Sequence, residues 1–88
     1  MAGVVRQGDI NQAGGKALGG VGSVLVNGRP IVVDGTKVSP HGKGKHAVAK
    51  TSGGVGSVRA GGKPVNVIGN VDDCGHPRTQ GSSNVNAG

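Results

Sequence analysis

The chain has 88 residues, a formal charge of +6 and no Phe, Tyr or Trp. That length supports one small domain, and its core has to come from fifteen valines, three isoleucines and two leucines. The single cysteine excludes an internal disulfide, so a domain this poor in core needs a metal or a partner as its staple.

Twenty glycines would ordinarily suggest a linker. Here they recur at fixed places among valines, which favours short strands joined by tight turns. No 12-residue window is free of glycine or proline, and apolar residues recur in twos, so long helices are not expected. No stretch approaches transmembrane length, and no apolar signal core follows a basic N-terminus. Export by the usual signal-peptide route is therefore not expected.

In chain order, residues 1–12 read as a strand and turn, Gly3-Val4-Val5-Arg6-Gln7 and then Gly8-Asp9. Residues 13–20 read as a loop whose apolar anchor, Leu18, is expected in the core. A repeat follows. Residues 19–35 return as residues 53–69, with ten identities in seventeen positions and an offset of 34. That is the period of one supersecondary unit.

Each unit predicts a β-hairpin. Val24-Leu25-Val26 runs into Asn27-Gly28 and then Arg29-Pro30-Ile31. Asn-Gly suits a two-residue turn because both central residues need positive φ, and Gly61-Gly62 suits the second turn equally. Pro30 and Pro64 lack an N–H and belong on an edge or at a strand start.

The two ends supply a third unit cut in half. Residues 4–9 match the closing half of a hairpin, and residues 81–88 match the opening half. The expectation is that the ends pair, the sheet closes, and one domain over residues 1–88 has pseudo-threefold symmetry. Closure would remove edges that a valine-rich β domain cannot leave open.

The units diverge in the loops after them. The first loop holds His41 and His46, and the second holds Cys74 and His76. Three imidazoles and one thiolate form a closed tetrahedral set for one structural Zn²⁺, with no candidate ligand left over. Asp72 and Asp73 read either as carboxylates orienting a ligand or as solvated turn residues. A closed set leaves no open position for catalysis, so an enzyme is not expected.

Gly22, Ser23, Val26, Asn27, Gly28, Arg29 and Pro30, then Arg6, Gly8 and Asp9, then His41, Cys74 and His76 together resemble the PAAR-repeat proteins. The resemblance spans nearly the whole chain. It departs from the family where the name-giving Pro-Ala-Ala-Arg reads Pro30-Ile31-Val32-Val33 and Pro64-Val65-Asn66-Val67.

The resemblance implies an all-β fold, a small cone of repeated hairpins with zinc near its apex. It implies His41, His46, Cys74 and His76 as the ligands. It also implies a monomer seated on a trimeric β-helical spike, either the central spike of a phage or a valine-glycine repeat protein. The expected role is to cap and sharpen the membrane-piercing spike of a contractile injection machine and to touch the target envelope in passing. The expected location is the tail baseplate tip of a virion, or alternatively a type VI secretion device that exports it without a signal peptide. A basic zinc-containing nucleic-acid-binding module is the rival of another class. The charge fits it, but there is no aromatic side chain to stack on bases and no expected helix for a groove.

Overall fold

The computed structural model describes residues 2–40, Gly42, Gly44 and residues 49–87. Regular structure among them is short antiparallel strands, with no α-helix. β1 is Ala2–Gly3, β2 Val21–Val26, β3 Arg29–Ile31, β4 Val55–Ala60, β5 Lys63–Val65 and β6 Asn86–Ala87. No helix among the described residues is long and apolar enough to cross a membrane.

β2 pairs with β3, β4 with β5, and β1 with β6. The first two are the hairpins expected from the repeat. Asn27 and Gly28 turn at φ 54° and 80°, and Gly61 and Gly62 at 57° and 80°. These are the left-handed conformations that a two-residue hairpin turn demands. Both hairpins carry the same irregularity, between Val21 and Leu25 and between Val55 and Arg59. The third pair joins the chain's two ends, Ala2 opposite Ala87 and Gly3 opposite Asn86.

The three pairs are tied by bonds that repeat around a ring. Val32 N–H donates to the Val5 carbonyl at 3.0 Å, Val5 N–H to Asn66 at 2.9 Å, and Asn66 N–H to Val32 at 2.9 Å. Three bridges accompany this ring, Val33–Val65, Val67–Val4 and Arg6–Ile31. Outside it, Asp34, Ile68 and Gln7 donate to the carbonyls of Pro64, Gly3 and Pro30. Pro30 and Pro64 thus serve as acceptors inside short strands, where no proline N–H is called for.

The alternation of a strand sorts the side chains along this body. On one side lies the main core of Val4, Val26, Ile31, Val33, Ala60, Val65, Val67 and Ala87. On the other side Val5 and Val32 pack with Ala17, and beyond them Val38, Ala49 and Cys74 form a further cluster. Leu18 does not join the core: it is 51% exposed. The neighbouring small residue Ala17, 1% exposed, fills the interior instead.

Candidate functional site

Three loops leave the strand ring at equivalent points. Each begins after a turn in which Asp9, Thr36 or Asn70 donates its N–H three residues back, to Arg6, Val33 or Val67. Each closes through one bridge, Ile10–Lys16, Lys37–Lys50 or Val71–Pro77. The loops also hold one another. Gln12 N–H donates to Pro77, Ser39 N–H to Lys16, and Asp73 N–H to Lys50. The loop between Ile10 and Lys16 is the third member of this set, although its sequence carries no metal-type residue.

Cys74 and His76 lie in the third loop. Cys74 is 3% exposed and packs on Val38 and Ala49, and His76 is half-buried. The Cys74 Sγ stands 3.6 Å from His76 Nδ1. Two ligands of a tetrahedral zinc, sulfur at about 2.3 Å and nitrogen at about 2.05 Å, stand about 3.6 Å apart. The pair therefore fits one edge of such a site, with Nδ1 as the coordinating nitrogen. The other two expected ligands, His41 and His46, lie outside the described residues. Among the described residues, no group of three or more His, Cys, Asp or Glu is placed to hold a metal.

The loop is shaped from within. Asp72 N–H donates to the His76 carbonyl at 2.9 Å, and Gly75 N–H to the Asp72 carbonyl at 2.8 Å, with Gly75 at φ 98°. That tight turn folds Cys74 back beside His76. The Asp72 side chain anchors it. Its Oδ2 accepts from Arg78 Nη1 at 2.9 Å and from Asn11 Nδ2 at 2.9 Å, and both charged side chains are 0% exposed. Arg78 Nη2 reaches the carbonyls of Asp9 and Gly15 in the first loop. Asp73 is exposed, and its Oδ1 accepts the Lys50 N–H at 2.9 Å. So Asp72 is a buried anchor, and Asp73 clips the third loop to the second.

Arg78 and Asn11 are supporting residues that sequence reasoning passes over. Asn11 lies 61 residues from Asp72, and no periodicity links them. The usable signal is the repeat itself. Arg78 occupies the place of Ala17 and Thr51, whose N–H groups make the matching bonds to Asp9 and Thr36. A charged residue at a position that is small elsewhere in a repeat marks a local network.

The chain matches no protein-family model and no curated protein.

Proposed function

We propose that the chain is a PAAR-like tip protein that caps a trimeric β-helical spike in a contractile injection machine. The observation that carries this reading is the threefold repetition of the backbone ring, with the two chain ends paired. A single chain with three similar hairpins can offer one hairpin to each subunit of a trimer, so one copy satisfies a threefold end. The body measures 32 × 23 × 21 Å, the scale of one small plug. In this reading the hairpin end is the blunt face of a cone, and the loops form the apex.

The proposed staple is one Zn²⁺ held by His41, His46, Cys74 and His76, and the 3.6 Å spacing of Cys74 and His76 supports it. When bound, the metal would contribute folding energy and rigidity, not catalysis. The chain's own residues prepare for it. Asp72, Arg78 and Asn11 fix the turn that holds the thiol and the imidazole side by side. A rigid end suits mechanical penetration in a core built of valine and alanine.

A phage tail baseplate is the preferred setting, with a type VI secretion spike as the alternative. The test is co-expression with a trimeric β-helical spike protein from each system. The reading expects one copy per trimer and a complex that survives high salt. Binding that collapses between 50 and 200 mM salt, with duplex DNA as the better partner, would favour the nucleic-acid module instead.

A further inference from the structure

A groove of about 400 Å³ runs along one side of the molecule, and the spike-cap reading assigns it nothing. Its lining includes the apolar Leu18 and Val21, the turn from Val33 to Lys37, and Lys63. The first hairpin carries a counterpart of the Lys63 corner in which the cation is paired. At the tip of the first hairpin, Arg29 bends onto the turn of residues 6–9. Its Nη1 donates to the Gln7 carbonyl at 3.3 Å and its Nη2 to Asp9 Oδ1 at 3.2 Å. Lys63 occupies the same place on the second hairpin, since Arg29 pairs with Val26 as Lys63 pairs with Ala60. It leans over the equivalent turn, with its Nζ 4.0 Å from where a Cβ on Gly35 would sit.

There the likeness ends. The residue in the place of Asp9 is Thr36, whose Oγ1 donates to the Val33 carbonyl. Asp9 is held by two cations, Arg6 at 2.9 Å and Arg29 at 3.2 Å. In the second turn Val33 stands in the place of Arg6 and Lys63 in the place of Arg29, so one cation is retained and the carboxylate is gone. A second cation, Lys37, lines the same groove. It stands opposite Lys50 in a bridge flanked by the bonds from Val38 to Ala49 and from Thr51 to Thr36. That is the closer, non-hydrogen-bonded kind of cross-strand pair, and like charges facing at that spacing repel. The one carboxylate in the groove, Asp34, uses both oxygens on the Gly54 N–H and Asn66 Nδ2. Among the described residues, every ion pair is made by arginine and none by lysine.

We propose that this groove docks an acidic residue of a partner polypeptide. The carboxylate would lie between Lys63 and Lys37, much as Asp9 pairs with Arg29 at the equivalent turn, with an apolar neighbour against Leu18 and Val21. The inference rests on charge complementarity and on that internal precedent, and it stands whether or not the chain caps a spike.

The probe is acetyl-Leu-Glu-Leu-amide, with the Gln analogue as control, followed by amide shifts in labelled protein. Saturable shifts confined to Gly19, Gly35, Thr36 and Lys37 are expected for the Glu peptide only. Lys63→Ala should weaken binding about fivefold, the loss of one charge-assisted contact. Thr36→Asp is the sharper variant, because it restores the internal carboxylate. It should abolish binding while the rest of the spectrum stays native. Equal binding of the Gln peptide, or undiminished binding to Thr36→Asp, overturns the proposal. So does occupation of these amides by inorganic phosphate or by phosphatidylglycerol vesicles while the Glu peptide stays inert, which would assign the groove to phosphate chemistry.

Discussion

Arg78→Met tests whether the buried network anchors the Cys74–His76 loop. The substitution keeps an apolar stem of similar length and removes the guanidinium. Asp72 then stays buried with Asn11 as its remaining side-chain donor. At 2.9 Å and an effective dielectric of about 20, the lost attraction is about 6 kcal/mol. Desolvation offsets part of it in the intact pair, and removing one partner of a buried pair costs about 3–5 kcal/mol in practice. A domain of 88 residues has a total stability of about 4–13 kcal/mol. Arg78→Met should therefore consume about a quarter of the stability or more, read as a lowered urea midpoint. Asp72→Asn in the same background removes the stranded charge while keeping an acceptor for Asn11. The double variant should recover at least half of the loss. A single variant costing less than about 1 kcal/mol, or a double variant no better than the single, would refute the argument.

Elemental analysis should find one zinc per chain, and X-ray absorption should show one sulfur among its ligands; Cys74→Ala should lose both the metal and most of the stability. Gly54→Ala should destabilise by about 1–3 kcal/mol in thermal unfolding, because a Cβ there would stand 2.6 Å from Asp34 Oδ1 and 2.7 Å from the Val65 carbonyl. Gly22→Ala is its control: a Cβ there meets nothing within 4 Å, so the melting temperature should hold or rise slightly. Truncation after Gly81 removes β6 and the acceptor of the Val4 N–H, leaving β1 with an open edge. The shortened chain should lose its strand signal in circular dichroism or elute as an oligomer, and a native monomer would count against closure at the ends.

The hairpins are legible in the sequence because turn chemistry is local. Asn27-Gly28 and Gly61-Gly62 state their φ requirements in two residues, and the repeat says the same thing twice. The pairing of the ends follows from matching residues 4–9 and 81–88 to half-units, and β1 and β6 do pair. The loop between Ile10 and Lys16 is not legible as the third of its kind. Its equivalence is carried by backbone bonds, such as Gln12 to Pro77, which constrain almost no side chain. Leu18 misleads for a related reason. Hydrophobicity argues for burial, but where chains cross closely a small residue packs better, and Ala17 takes the inside place. The closeness of Cys74 and His76 is legible from spacing, because two residues apart around one tight turn is enough to bring thiol and imidazole together. The Asp72–Arg78–Asn11 anchor joins distant segments and is visible only after folding.

The two ends of this body obey different rules. At the strand ring, the backbone bonds of Val5, Val32 and Asn66 are the same three times over. At the loops, the equivalent positions diverge: Ala17, Thr51 and Arg78 in one layer, Asn11, Val38 and Asp72 in the next. One side of the loop end is thus a polar network, and the other is the apolar cluster of Val38, Ala49 and Cys74. Three identical chains could build the first end but would repeat every loop residue three times. They could not set one thiol beside one imidazole while a single buried ion pair braces that turn. A triplicated single chain keeps the backbone repeat at the strand ring. It also leaves each loop free to carry different residues, as Ala17, Thr51 and Arg78 do at one equivalent position. The repeat should therefore tolerate exchange of β2–β3 for β4–β5 far better than exchange of the loop 71–77 for the loop 10–16. Zinc content of the two chimaeras would decide this, and retention of metal by the loop chimaera would sink the argument.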